Sequence, residues 1–443
     1  MFTPGIKASA IARMARIVVS ALQKQGVELC VVRAEATQKM QEESIEFGVP
    51  TLSWTQKDDI ESAIDLADAV VYHVGDNFPF HEGCLYWLER QRGIVCLHDF
   101  FLGDLFAAWM QNHHERGGAI LKYWYGEEIA REWPQHLSSP DFIAATHLKA
   151  PLTEWVASQA TAVIAHSAWG MNRVLSACSG PVRVVPLAYE MPQAGDIPDS
   201  VFAQCSGKLQ VLTVGHVNPN KRAESVIRAL GSDRKLRESV VYTLVGMVND
   251  DTRRRLEKLA SDLGVQLRVC GEVSEAELLT LLSNADVVCC LRNPTLEAAS
   301  ASAIEAMLSA RAVIVENHGF YSELPDDCVC KIRPNHEEED LVRILHALSS
   351  DTEARNAQGV RASEWARQTF SGENYARQLM EILTLSQRSA LVSEVMQGFA
   401  QKLESWGGGA SMLCLPETLD KLRVFDVGQV ELSLVTAVPD KTS

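Results

Sequence analysis

Two segments hold side chains whose types and spacing suit an anionic, hydroxyl-bearing ligand. The first is Leu209–Leu230, LQVLTVGHVNPNKRAESVIRAL, where an apolar run ends at Gly215, a polar loop follows and a helical pattern opens near Lys221. Main-chain amides at a helix N-terminus, joined by a nearby cation, form a ready anion site. Lys221 stands where its ammonium would neutralise a diphosphate, and His216 leaves the strand end toward the same place. Taken alone, the segment reads more simply as a strand–loop–helix junction with a solvated lysine, because the loop is neither a Walker loop nor G-x-G-x-x-G. The second segment is Asp286–Val315, DVVCCLRNPTLEAASASAIEAMLSARAVIV, in which seven residues separate Glu297 from Glu305. Small residues at the opening of a helix let a ligand approach the backbone amides closely. Glu305 follows about two turns on, and a carboxylate suits paired sugar hydroxyls as the acidic residue of a dinucleotide site suits ribose. The plain alternative is an alanine-rich helix with two solvated glutamates.

The elements around these residues alternate between short β-branched runs and helix-patterned stretches, the signature of parallel sheets covered by helices. Strands are expected near Val27–Arg33, Ala69–Val74, Ile94–His98, Ala162–His166 and Val182–Pro186. The second half repeats the plan near Leu209–Val214, Val240–Val245, Gln266–Cys270, Asp286–Leu291 and Ala312–Val315. Between them, Pro192, Gly195 and Pro198 mark a linker. The expected organisation is an N-terminal domain over residues 1–190, a linker over 191–207 and a second domain over 208–370. A helix over 371–388 should return toward the first domain, followed by an extension over 389–443. In that tail, Glu373–Leu385 and Leu391–Trp406 read as separate helices, the second stopped by Gly407-Gly408-Gly409, and Val430–Val435 as strand-like. Two doubly wound α/β domains place a ligand cleft between the carboxyl ends of their sheets.

Composition narrows the function classes. The chain has 443 residues, 47% hydrophobic and 22% charged, which suits a globular protein of two middling domains. A formal net charge of −16 argues against a general nucleic-acid binder, which needs a basic face. No apolar run spans a bilayer, so membrane contact would be peripheral. The 11 cysteines are scattered and form no C-x-x-C pair, which points to thiols in a reduced, cytoplasmic protein and not to zinc or a disulfide framework. Basic residues without an acidic one before Glu28 resemble a transit peptide or a membrane-surface helix. The helical spacing of Ile11, Met14, Ala15, Val18, Val19 and Leu22 favours the first helix of a folded domain instead.

Taken together, the two segments resemble the family 4 retaining glycosyltransferases, whose fold is the two-domain GT-B arrangement. That family shows a strand, Gly-Arg, a short loop and Lys, then Glu-x7-Glu ahead of EAM. Here Gly215-His216, Lys221, Glu297, Glu305, Ala306 and Met307 follow in that order. VVYTLVG (Val240–Gly246), CLRNP (Cys290–Pro294) and RVCGEVSEAELLTLLSNAD also fall at corresponding places. In the first half, GIVCLHD (Gly93–Asp99), VIAHSAWG (Val163–Gly170) and TPGIKASAIARMAR resemble the family's cleft strand, pre-linker strand and glycine loop. A lone histidine at a strand end is usually structural; the order of segments is what brings in His98. The resemblance spans Pro4 to Leu385 and is densest in the C-terminal half.

The resemblance implies transfer of a sugar from a nucleotide-diphosphate donor to a carbohydrate or lipid-linked acceptor. No cofactor or metal is implied, and the pathway would be polysaccharide or glycoconjugate assembly. Lys221 would bind the diphosphate, Glu305 the ribose and Glu297 the transferred sugar. His98 would stand beside the reacting carbon, with Asp99 on the acceptor side and Gly5 approaching the donor phosphates. Gly215, His216, Arg222, Ala299 and Ser300 complete the implied donor side. The place would be cytoplasmic, with peripheral contact at the inner membrane face.

The pattern departs from the family at four places. His216 replaces arginine and lacks a fixed guanidinium fork, so either Arg222 compensates or phosphate binding leans on Lys221 alone. Glu297-Ala298-Ala299-Ser300 replaces Glu-Gly-Phe-Gly, which alters the contacts to the donor sugar. The chain opens directly at MFTPG, so the first apolar strand is expected to be missing or cut to a stub. The tail has no counterpart. Competing readings are a nucleotide-sugar epimerase or phosphorylase of the same shape, and a non-catalytic partner protein derived from a transferase.

Overall fold

The computed structural model of the protein describes residues 1–139, 141–190 and 207–407. All but the last residue of the expected linker, the strand-like Val430–Val435 and the glycines after Gly407 lie outside the described residues. The first sheet contains β1 (Phe2–Thr3), β2 (Val31–Arg33), β3 (Thr51–Ser53), β4 (Val71–Val74), β5 (Ile94–Leu97), β6 (Ala162–Ala165) and β7 (Val182–Val184). Its order is β3-β2-β1-β4-β5-β6-β7 and every pairing is parallel. The second contains β8 (Leu209–Val214), β9 (Val240–Val245), β10 (Gln266–Gly271), β11 (Val287–Cys290), β12 (Ala312–Glu316) and β13 (Cys330–Ile332). It is also parallel throughout, in the order β10-β9-β8-β11-β12-β13.

These residues form parallel strands because their apolar runs are buried on both faces, as IVCL, AVIA and VVCC are. Helices then cover both faces through right-handed crossovers. Strand order reverses between β1 and β4 in the first sheet and between β8 and β11 in the second. Those switch points are where ligands bind in doubly wound sheets.

Of the two expectations for the first strand, missing or cut to a stub, the structure shows the second. It is a two-residue stub, and it stands at the centre of its sheet. The Val32 amide donates to the Met1 carbonyl at 2.8 Å and the Ala34 amide to the Thr3 carbonyl at 3.0 Å. Two residues suffice because Phe2 stacks on Tyr72 at 4.8 Å and also meets Trp87. The helix Ala10–Lys24 follows, capped by Ser9, whose hydroxyl accepts from the Ala12 amide at 3.2 Å. Its apolar face, Met14, Ile17 and Val18 among others, enters a core that continues into the second domain.

The two C-terminal helices expected from the sequence are one helix, Gly372–Ser405. No glycine or proline interrupts residues 386–390, so the hydrogen-bond ladder continues. This helix packs on the first domain. A Cβ on Gly372 would lie 2.7 Å from Ile17 Cγ2, and the Ser386 hydroxyl donates to the Thr161 carbonyl at 3.4 Å. Arg183 and Glu381 form an ion pair at 2.6 Å. Among the described residues no helix is long and apolar enough to cross a membrane.

The stub sets a stability prediction. Phe2→Ala should cost about 3–5 kcal/mol, whereas Phe2→Leu should cost under about 1.5 kcal/mol. Chemical denaturation monitored by tryptophan fluorescence measures both. A loss below about 1 kcal/mol for the alanine variant would mean that β1 contributes little to the sheet.

Candidate active site

Lys221 is placed by the end of β8. Gly215 turns the chain there with φ +106, and residues Pro219–Lys221 make a single tight turn. The Lys221 side chain folds back into the protein, 6% exposed, and its ammonium donates to the Val214 carbonyl at 2.7 Å. A Cβ at Gly215 would stand 2.6 Å from that nitrogen, so only glycine lets the lysine lie there. Burial first, and then the nearby Arg292, lower the Lys221 pKa to about 7 against the opposite pull of Glu297 and Glu305. The ammonium therefore shares one electrostatic neighbourhood with both glutamates. His216 is exposed in the adjoining loop.

Arg222 has a different partner. With φ 53 at the start of the Ala223–Ser232 helix, it directs Nε to both carboxylate oxygens of buried Glu337, each at 2.9 Å. The guanidinium that stands beside Lys221 is that of Arg292, a residue the sequence reading did not single out. Arg292 follows β11, next to β8 in the sheet, and the Asn293 amide donates to the Asn220 carbonyl at 3.0 Å. Its Nε donates to Glu297 Oε1 at 2.7 Å and its Nη1 to the Leu291 carbonyl at 2.8 Å.

Beyond Glu297, Ala299 and Ser300 are buried, and Ser300 caps the helix Ala301–Leu308 by accepting from the Ala303 amide at 3.4 Å. Its hydroxyl also meets that of Ser302 at 3.2 Å. Glu305, on this helix, accepts a hydrogen bond from the Tyr189 hydroxyl, and burial raises its carboxyl pKa.

The first domain contributes His98 and Asp99 at the end of β5. His98 is buried and its Nε2 shares a hydrogen bond with His73 Nδ1 at 2.9 Å; its ring also packs 4.7 Å from that of His166. Burial holds His73 near a pKa of about 3, His166 near about 4 and His98 well below the usual range, so this cluster is neutral. Among the described residues no three His, Cys, Asp or Glu side chains are arranged to hold a metal ion. Asp99 accepts from the Asp76 amide at 2.8 Å, and burial pushes its carboxyl up to about 7. Gly5 lies in the loop after β1. Its amide donates to fully buried Glu35 at 2.9 Å, and the Arg33 side chain covers it so closely that a Cβ would meet Arg33 Nε at 2.8 Å.

The two half-sites meet directly. Asp99 and Glu297 form an antiparallel bridge across the domains, in which the Ala298 amide donates to the His98 carbonyl at 3.0 Å and the Phe100 amide to the Leu296 carbonyl at 2.9 Å. Glu323 adds a second clasp by accepting from the Ala168 and Trp169 amides at 3.1 and 3.0 Å. Trp169 packs on Phe100 at 4.2 Å and on His318 at 5.9 Å. Beside Glu305 a cavity of about 310 Å³ opens between the Ala10–Lys24 helix and the helix Glu275–Asn284, lined also by Arg13, Tyr189 and Leu282. A larger cavity of about 360 Å³ at the opposite end of β4–β6, lined by Asp68, Arg92 and Gln387, contains none of these residues.

Of the sequence-derived set, Lys221, Glu297 and Glu305 converge, with Gly215 beneath the lysine and His98 and Asp99 facing the Glu297 loop. Ala299 and Ser300 lie on the same loop. Arg222 and Gly5 are engaged by Glu337 and Glu35. Of the residues missed, Tyr189, Glu323 and His73 bond to partners remote in sequence, and Arg292 reaches the Lys221 side only because β11 lies beside β8.

The lysine provides a direct measurement. In the ligand-free protein Lys221 should be charged below pH 7 and largely neutral above it. A 13C NMR titration of labelled lysine should show one side chain changing near pH 7, absent in Lys221→Met. Titration of every lysine near its ordinary value would disprove the burial argument.

Comparisons with known proteins bear on this arrangement. Residues 201–365 match the family described as Glycosyl transferases group 1. A search of curated proteins found no match. Among solved structures, Alr3699/HepE from Anabaena in complex with UDP and glucose superposes with a TM-score of 0.57 at 15% identity, over 86% of this chain and 98% of that one. Sucrose-phosphate synthase from Thermosynechococcus elongatus gives a TM-score of 0.59 at 15% identity, covering 86% and 94%. WaaG, a glycosyltransferase involved in lipopolysaccharide biosynthesis, gives 0.52 at 14%, covering 88% and 98%. At such identities the likeness is one of fold. The chain thus has the two-domain GT-B fold of these structures, and its residues 201–365 are similar to the group 1 glycosyl transferases.

Proposed function

We propose that the chain is a retaining glycosyltransferase of the family 4, hexosyltransferase type, using a nucleotide-diphosphate sugar and no metal ion. The observation that carries this reading is the convergence of Lys221, Glu297 and Glu305 at the end of the second sheet, opposite His98 and Asp99. The ligand of the structure from Anabaena makes a uridine-diphosphate sugar the first donor to test.

Lys221 holds the donor diphosphate, Glu305 accepts from the ribose hydroxyls and Glu297 from the transferred sugar. The cavity beside Glu305 receives the nucleoside. As the C1–O bond to the diphosphate breaks, the bonding pair leaves with the phosphate oxygen and its charge grows. A buried ammonium stabilises that charge more than water would. The acceptor oxygen bonds to C1 on the same face and its proton passes to the departing phosphate oxygen, which retains the anomeric configuration. His98, neutral and buried, lines the reacting face, and the acceptor enters from the side of Asp99. The acceptor is a carbohydrate or lipid-linked sugar in polysaccharide or glycoconjugate assembly, and the protein works in the cytoplasm, in peripheral contact with the inner membrane face.

A second reading is favoured by one observation. The Ala298 amide, on the loop that would face the sugar, is bonded to the His98 carbonyl, and the Glu305 carboxylate to Tyr189. A non-catalytic partner protein would keep such contacts permanently, whereas a transferase exchanges them for donor contacts.

Nucleotide release from a panel of nucleotide sugars separates the two. Lys221→Ala should slow release about 100- to 1,000-fold, as removal of a stabiliser of developing charge does. Glu305→Ala should chiefly weaken donor binding. NMR of the first-formed glycoside should show the donor's anomer; an inverted product refutes the mechanism, and binding to none of the panel favours the partner protein.

A further inference from the structure

We propose that Arg292 is a second phosphate-binding cation of this site, standing beside Lys221 at the ends of β11 and β8 and replacing the fork that His216 lacks. The proposal rests on the transferase reading above and extends it to a residue that reading does not use.

The placement follows from the sheet. β11 pairs with β8 in the register Val287↔Val211 and Val288↔Leu212, so the chain leaves both strands at the same level. The bond from the Asn293 amide to the Asn220 carbonyl, 3.0 Å, ties the residue after Arg292 to the residue before Lys221. The two cations are therefore held side by side by backbone, whatever their side chains do. Arg292 is 9% exposed, and like charges at such burial repel strongly. Removal of two adjacent cations from water is unfavourable unless anions compensate. Glu297 supplies one carboxylate, at 2.7 Å from Nε, and is itself partly exposed. A diphosphate supplies the rest.

The donor inventory of the guanidinium agrees. Nε faces Glu297 and Nη1 faces the Leu291 carbonyl, while Nη2 donates to no acceptor among the described residues and is not among the buried orphaned atoms. A guanidinium held at two corners, with the third neither bonded nor fully buried, is pre-organised for a planar oxyanion. The other candidates for this role are engaged or remote. Arg222 gives its Nε to Glu337, and His216 is exposed.

The test uses the full chain and calorimetry at constant pH and ionic strength, with inorganic pyrophosphate, a panel of nucleoside diphosphates and the corresponding nucleosides as probes. Arg292→Ala should weaken pyrophosphate and diphosphate binding about ten- to a hundred-fold, the loss of one charge-assisted hydrogen-bond donor set, and leave nucleoside affinity unchanged. The double variant Arg292→Met with Glu297→Gln, which leaves no unpaired charge behind, should show the same loss if the alanine variant folds poorly. In Arg292→Ala the Lys221 titration should move upward from about pH 7, because the guanidinium that depresses it is gone while Glu297 remains. Unchanged phosphate affinity, or a stationary Lys221 titration, would overturn the proposal and leave Arg292 as a support for Glu297 alone. Wild-type protein that binds neither pyrophosphate nor any nucleoside diphosphate would overturn the transferase reading as well.

Discussion

The arrangement of the whole site depends on a peptide-to-peptide contact across the cleft. His98 and Phe100, at the end of β5, pair through their main chain with Leu296 and Ala298, at the loop after β11. Because backbone makes this contact, the distance between the His98 side and the Glu297 side is fixed by strand ends and not by flexible rotamers. Glu323 reinforces it by placing a carboxylate on two amides of the first domain, the geometry in which a charged acceptor is strongest. Trp169, between Phe100 and His318, adds apolar contact on the same side of the cleft.

Burial then governs the charge state of everything the contact brings together. Lys221 is pushed down to about 7 and Asp99 up to about 7 by the same cause acting on opposite charges. The histidines His73, His98 and His166 are driven far below neutrality, so they add shape and hydrogen-bonding capacity without adding charge. The formal charge of the site resides in Lys221, Arg292, Glu297 and Glu305. Each of these has an internal partner in the ligand-free protein: Val214, Glu297, Arg292 and Tyr189 in turn. Leaving buried charges without partners would cost several kcal/mol each, a cost that these internal contacts avoid.

The sequence made much of this legible where burial is two-sided. Leu209–Val214 and Val240–Val245 were readable to the residue because continuous β-branched runs buried on both faces admit few alternatives. Thr51–Ser53 and Cys330–Ile332 went unread, since edge strands of three residues carry no period. The helices between β5 and β6 were equally silent: the longest, His114–His136, is kinked at Gly126 with φ 86 and has no clean apolar stripe. Lys221, Glu297 and Glu305 were found by order and spacing. Arg292 was not, because its meaning comes from β11 lying beside β8, a fact of topology. Arg222 was assigned to the phosphate by proximity to Lys221 in sequence, yet a left-handed backbone at φ 53 delivers it to Glu337, 115 residues away. The family resemblance set Gly5 toward the donor phosphates, whereas in the structure Arg33, held by Glu35, covers it.

The strength of the clasp decides whether a self-closed site is compatible with turnover. The two bridge hydrogen bonds contribute about 1 kcal/mol each net of water, and the exposed Glu323 carboxylate adds less than a buried one would because solvent screens it. The sum is a few kcal/mol, far below the stability of either domain. A diphosphate that meets Lys221 and Arg292 in a low-dielectric cleft gains charge-assisted hydrogen bonds of the same order. Under the proposed transferase reading, donor binding would exchange one set of partners for another. On that reading the partners of Glu305, Ala298 and Glu297 mark where a ligand's hydroxyls and phosphates would substitute for protein groups.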